Sequence, residues 1–249
     1  MTPTAATPAT IAVDERADRV VVTLDRPAAR NAITAGMIAE LHDVCGLLER
    51  DPRPLLLTGS GDHFAGGADI GQLRERRRED ALAGINRSLF DRIAALPMPT
   101  VAAVNGYALG GGAELSYACD IRIATPTARF GNPEPGLGIL AAAGATYRLP
   151  DLVGGSVARQ ILLGARILTA DEALRHGLVA DVVEPTDLLD AAHTLIDRIA
   201  ASAPLALRMT KAALASQSRH THAEDIIQAV LFETDDKHDR MTAFLERKK

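Results

Sequence analysis

Short apolar runs alternate with amphipathic stretches along most of this chain, and that rhythm stops near residue 186. Residues 11–14 and 19–24 are apolar and β-branched on either side of the polar turn 15–18, which predicts a hairpin. From Thr34 the period lengthens: Met37, Ile38, Leu41, Val44, Leu47 and Leu48 recur at three- and four-residue spacing, so Thr34 caps a helix with one buried face that ends at Asp51-Pro52. Residues 55–59 and 99–104 read as buried strands, 73–96 as a helix, and 113–119 as a helix that follows a Gly-rich turn. Two further extended pieces, 121–124 and 128–131, precede helices at 141–149 and 155–163. Thr169 and Glu172 form a capping box, and 177–183 is a last strand. Beyond Thr186 only helix is expected, over 187–201, 204–216 and 222–246. The fold class is therefore α/β: a strand-and-helix core over 11–185, a helical region over 186–249, and a Pro-punctuated, disordered terminus over 1–10.

Composition narrows the function classes. The 249 residues suffice for a full core, but aromatic content is 3% with no Trp, so that core is aliphatic and Ala-rich. A net charge of −5 argues against non-specific nucleic-acid binding. Cys45 and Cys119 make neither a CxxC nor a zinc spacing and fit the reduced thiols of a cytoplasmic protein, with no metal implied. No apolar run is long enough to span a bilayer, and residues 1–10 lack the features of a signal peptide.

Three loops carry the candidate chemistry. Asn105 to Leu115 contains Gly110-Gly111-Gly112 between a strand and a helix and places Glu114 just beyond; residues 59–70 form a second Gly-rich loop after a strand; and Glu134 lies in the constrained run 132–138. A Gly-rich turn alone serves tight packing as often as chemistry, and Glu134 alone reads as a turn cap or a surface ion partner. Together, two such loops can aim two backbone N–H groups at one oxygen, the geometry of an oxyanion hole. Two carboxyls beside that oxygen would repel and desolvate each other, so one can be protonated while the other is ionised, which makes an acid/base pair. The P-loop, GxSxG, HExxH and GxGxxG patterns are all absent. His63 is assigned no role, and Arg74, Arg76, Arg77 and Arg78 read as a solvated helix face beside Glu75, Glu79 and Asp80.

From about Leu24 to Arg247 the sequence resembles the enoyl-CoA hydratase/isomerase (crotonase) family. The matching blocks are Leu24-Asp25-Arg26-Pro27 with Asn31-Ala32, His63 to Ile70, Val104 to Leu115, Cys119-Asp120, Phe130 to Glu134 and Tyr147-Arg148-Leu149. The resemblance implies a spiral of strand-strand-helix (ββα) repeats, a C-terminal α-helical trimerisation region, homotrimers or dimers of trimers, and acyl-CoA thioester substrates, coenzyme A being part of the substrate and no separate cofactor. It implies an oxyanion hole from the Ala68 and Gly111 N–H groups, with Glu114 and Glu134 as the hydratase carboxylates. Substrate contacts are implied for Arg26, Ala65, Gly67, Asp69, Ile70, Gly110, Ala142 and Lys249, with Lys211 and Lys248 as further candidates for the coenzyme A phosphates. The expected activity is reversible addition of water across the 2,3 double bond of a trans-2-enoyl-CoA; the alternative is an enoyl-CoA isomerase or another acyl-CoA-specific enzyme of the family. One departure stands out: Ala141-Ala142-Ala143-Gly144-Ala145-Thr146 replaces the family's usual Pro-Gly-Ala-Gly-Gly-Thr, which puts acyl-chain preference in question.

Overall fold

The computed structural model describes residues 9–215 and 221–246. Most of the expected disordered terminus therefore lies outside the described residues.

β1 (Ile11–Glu15) and β2 (Val20–Leu24) form the expected antiparallel hairpin, with Ile11 opposite Leu24. α1 (Ala35–Arg50) is capped by Thr34, whose Oγ1 accepts the Met37 N–H at 3.2 Å. Next come β3 (Leu55–Gly59), α2 (Ile70–Glu75), α3 (Arg78–Ala83), α4 (Ile85–Ala94), β4 (Thr100–Val104), β5 (Tyr107–Leu109) and α5 (Gly111–Ala118). They are followed by β6 (Ile121–Ala124), β7 (Arg129–Gly131), α6 (Ala145–Val153), α7 (Gly155–Gly164), β8 (Leu168–Thr169), α8 (Ala170–Arg175) and β9 (Asp181–Val182). The helix-only end comprises α9 (Leu188–Ala200), α10 (Pro204–Ala215), α11 (Thr221–Phe232) and α12 (Asp235–Glu246).

Six strands make the main sheet in the order β1-β2-β3-β4-β6-β9, parallel except for the β1–β2 hairpin. A second sheet has the order β5-β7-β8, with β7 parallel to β5 and antiparallel to β8. Parallel strands are covered on both faces, which is why β2, β3 and β4 read as continuous apolar runs. Val20, Val22, Leu24, Leu55, Leu57, Ala102 and Val104 face the large core shared with α1, α4 and α5. The intervening Val21, Leu56, Val101 and Ala103 face a smaller core closed by Leu188, Ala192, Leu195 and Ile196 of α9. The first helix of the helix-only region is thus the second cover of the sheet.

Four expectations from periodicity are corrected. The helix expected over 73–96 is three helices, because Arg76 and Arg77 are extended and Gly84 turns left-handed at φ 60°. The helix expected from residue 141 begins at Ala145, after Gly144 at φ 125°. Only Asp181–Val182 of the expected strand 177–183 pairs, and the last helix is divided at Glu233-Thr234.

Candidate active site

Two loops are brought edge to edge by backbone pairing. Ala65 N–H donates to the Tyr107 carbonyl at 2.9 Å, and Leu109 N–H donates to the Ala65 carbonyl at 3.1 Å. Gly112 permits this approach, since a Cβ there would collide with the Ala65 carbonyl oxygen. On the first loop, Ile33 N–H donates to the Gly67 carbonyl and Asp69 N–H to the Ile33 carbonyl, at 2.8 and 2.9 Å. A parallel bridge of this register turns the N–H of the intervening Ala68 away from Ile33. On the second loop, Gly111 is the first residue of α5, where an N–H has no intrahelical acceptor. Among the described residues neither the Ala68 nor the Gly111 N–H finds a partner, and both residues line one cavity of about 410 Å³.

Glu114 and Glu134 line the same cavity and are both buried. Glu114 is carried on the first turn of α5, and its Oε1 accepts the Ala143 and Ala145 N–H groups at 2.7 and 3.1 Å. Burial, with the Glu134 charge adding to it against those two N–H donors, pushes its pKa up to about 7. Glu134 opens the single 3₁₀ turn Glu134–Leu137, where Pro133 and Pro135 prevent a longer helix. Burial raises its pKa also. Its Oε2 is buried with no partner among the described residues, while Oε1 is 3.5 Å from Asn132 Nδ2. Asn132 is itself held by Tyr117, whose hydroxyl donates to Oδ1 at 3.2 Å. Gly110, at φ 52°, lies against this carboxyl: a Cβ there would sit 3.1 Å from Glu134 Oε1.

The remaining sequence candidates divide. Ala142 lines the cavity. Gly67, at φ 121°, shapes the turn into Ala68, and Ile70 is exposed beside it. Asp69 caps α2 through the Gln72 N–H at 3.2 Å and sits 3.4 Å from Arg26 Nη1, which also donates to the Ala32 carbonyl at 2.6 Å. Ala65 has both backbone groups engaged, as above. Lys211 is not in this cavity: it donates to Asp120 at 2.7 Å and to the Met98 carbonyl at 3.0 Å, against a separate cavity of about 600 Å³. Lys248 and Lys249 lie outside the described residues. His63 is bonded locally, stacking on Tyr107 and accepting its N–H at 3.3 Å.

Among the lining residues that sequence reasoning did not place at the site are Asn86 and Arg76. Asn86 is buried among Leu89, Phe90 and Ile93 of α4, and its Oδ1 accepts from Arg76 Nη1 at 2.8 Å. The available signal was a polar residue at an apolar position of a helical repeat. Arg76 was concealed in the arginine cluster, and only the break between α2 and α3 turns it inward.

Two free N–H donors and two carboxyls in one cavity can receive an oxygen on the first pair and act on the atoms next to it with the second. A family model described as enoyl-CoA hydratase/isomerase matches residues 15–249. The short-chain-enoyl-CoA hydratase of Clostridium acetobutylicum is 43% identical over 243 residues, with 92% of each chain covered. The crotonyl-CoA hydratase of Syntrophomonas wolfei is 39% identical over 250 residues, with 96% of each covered. The crystal structure of enoyl-CoA hydratase from Bacillus anthracis superposes with a TM-score of 0.91 at 32% identity over 96% of each chain.

Proposed function

The chain belongs to the enoyl-CoA hydratase/isomerase family, and we propose that within it the protein is a hydro-lyase, adding water reversibly to a trans-2-enoyl-CoA to give the 3-hydroxyacyl-CoA. The observation that carries this reading is the pair of buried carboxyls, Glu114 and Glu134, in one cavity with the two unpaired N–H groups. The thioester oxygen sits between the Ala68 and Gly111 N–H groups, which stabilise the enolate-like charge that develops on it. The start of α5 adds the positive end of its dipole.

Two buried carboxyls in one cavity share a single negative charge more cheaply than two. The Ala143 and Ala145 N–H groups favour keeping it on Glu114, while the unpartnered Oε2 of Glu134 suits the protonated form. Glu114 takes a proton from water as its oxygen bonds to C3; the π electrons move toward C1, and Glu134 delivers its proton to C2. The charge then rests on Glu134 and the proton on Glu114, and exchange within the pair restores the starting state.

The alanines at 141, 142 and 145, which stand where the family usually carries Pro and two Gly, fit this role. None of those alanines has a positive φ, and the one left-handed position of the run keeps its glycine at 144. The loop therefore retains the conformation in which residues 143 and 145 hold Glu114.

The reading extends to assembly as homotrimers or dimers of trimers. It is supported by α10, which buries no residue within one chain, and by Leu214 and Ile226, which are 82% and 67% exposed. Cytoplasmic residence is supported by two buried free cysteines. No helix of the described residues is long and apolar enough to cross a membrane.

Loss of the conjugated enoyl-thioester absorbance on mixing with crotonyl-CoA tests the activity. Both Glu114→Gln and Glu134→Gln should lower kcat by about 10²-fold or more. Full activity in both variants would overturn the site assignment, and loss in Glu134→Gln alone, with a 3-enoyl-CoA converted instead, would mark an isomerase.

A further inference from the structure

The acyl end of the cavity is not uniformly apolar. Asn86 occupies the inward stripe of α4 with Leu89, Phe90 and Ile93 and is 7% exposed. Its orientation is fixed chemically: arginine only donates, so the atom facing Arg76 at 2.8 Å is Oδ1, and Nδ2 faces the other way. A methyl group built on Gly111 would lie 3.7 Å from that Nδ2 and 3.5 Å from the Ala68 nitrogen, so the amide opens into the chamber beside the oxyanion donors.

Arg76 is the half-buried cation of the same wall. Three of its neighbours are paired, Arg74 with Glu75, Arg78 with Glu79 and Arg87 with Asp91, while Arg77, which also lines the cavity without an ion pair among the described residues, is exposed to water. Arg76 has no carboxylate at ion-pair distance among the described residues; Asn86 is the only hydrogen-bond partner of its guanidinium among them. Asp80 also borders the cavity, but its Oδ2 accepts the Arg77 N–H at 2.8 Å at the start of α3. A guanidinium with one donor engaged keeps a fork free for a planar anion, and an uncompensated charge in a partly desolvated wall favours one.

We propose that Arg76 and Asn86 form a polar end to the acyl pocket, selecting 2-enoyl thioesters whose chain terminates in a carboxylate over alkyl chains of equal length. The proposal rests on the hydratase reading for the direction in which the acyl chain lies. With the thioester oxygen in its hole and C2 and C3 against the glutamates, the chain beyond C3 runs along Leu73 and Ile85 and brings its end to the guanidinium.

The test pairs binding with turnover. Calorimetric titration of wild-type protein with hexanoyl-CoA and adipoyl-CoA, saturated thioesters of equal chain length, should show the carboxylate form binding about tenfold tighter or more, the worth of one charged hydrogen-bonded pair. Arg76→Met should erase that preference while leaving hexanoyl-CoA affinity unchanged, which also shows that the variant is folded, and Arg76→Lys should keep part of it. If Arg76→Met does not fold, Arg76→Gln carries the same expectation. Equal or tighter wild-type binding of hexanoyl-CoA overturns the proposal. So does an Arg76→Met variant that weakens both thioesters and free coenzyme A alike, which would give the guanidinium to the coenzyme A phosphates. The corresponding 2-enoyl thioesters separate the two readings: a binding preference without hydration of either leaves the pocket assignment standing and removes the hydratase, whereas hydration of both without preference removes the pocket assignment alone.

Discussion

At Glu114 two effects oppose each other, and their balance sets the pH behaviour of the site. Burial disfavours the charge, two backbone N–H groups favour it, and the outcome is a carboxyl pushed up to about 7 from 4.5. The base form is therefore lost as pH falls through about 7, and kcat/KM for crotonyl-CoA should decline below that pH. Stability carries the opposite sign. The unfolded chain releases this proton at about 4.5 and the folded one near 7, so wild-type stability is full below the first value and falls between the two. Glu114→Gln should gain stability relative to wild type over that window, by a few kcal/mol at most, measured as a difference in urea midpoints at pH 5 and pH 8. A constant difference would place Glu114 outside the low-dielectric cavity. Gly112 tests the loop contact instead: Gly112→Ala forces a methyl against the Ala65 carbonyl and should cost about 1–3 kcal/mol together with activity, because the oxyanion donors sit on the two loops it would separate.

The element that joins fold to chemistry is α5, every residue of which is buried. Its first turn bears Gly111 and Glu114; its other end is closed by Arg122, which is 4% exposed. The Arg122 guanidinium donates to the Ser116, Cys119 and Asp120 carbonyls at 3.0, 2.6 and 3.2 Å and to the Leu178 carbonyl at 2.7 Å. A cation at a helix C-terminus both satisfies these acceptors, of which the Ser116 carbonyl also takes the Cys119 N–H, and complements the dipole. Arg122→Leu strands them, and a loss of roughly 3 kcal/mol in urea unfolding is expected; a change under about 0.5 kcal/mol, the size of an ordinary surface substitution, would contradict this. Legibility in the sequence followed the same division. Strands β2 to β4 and helix α1 were plain because burial imposes continuous apolar runs on the strands and a three- and four-residue repeat on the helix, whereas Glu114 and Glu134 were legible only in combination, one just past a Gly-rich turn and the other between prolines that restrict the backbone. Arg76 and Asn86 were not, because their meeting depends on two breaks in what periodicity alone reads as one helix over 73–96. The start of α6 was misplaced for a related reason: alanine at 141–143 favours helix locally, but Gly144 and the demand of Glu114 for two N–H donors hold that run as a turn ahead of the helix.

For the whole molecule, the described chain ends in helices whose apolar side chains are left uncovered, including Leu214, Ile226, Val230 and Phe232. Surfaces of that kind mark association. Light scattering should give a particle of three or six chains, and Ile226→Asp should dissociate it; a monomeric wild-type protein would remove the trimer from the account. The spiral and the site it builds lead to one reaction, and its direct test is to follow crotonyl-CoA in deuterated water by NMR and mass spectrometry. The product should carry solvent oxygen at C3 and one solvent deuterium at C2, and should form at least about 10²-fold more slowly with Glu114→Gln and with Glu134→Gln. An unchanged acyl skeleton with no oxygen added, and deuterium entering only at C4, would contradict it.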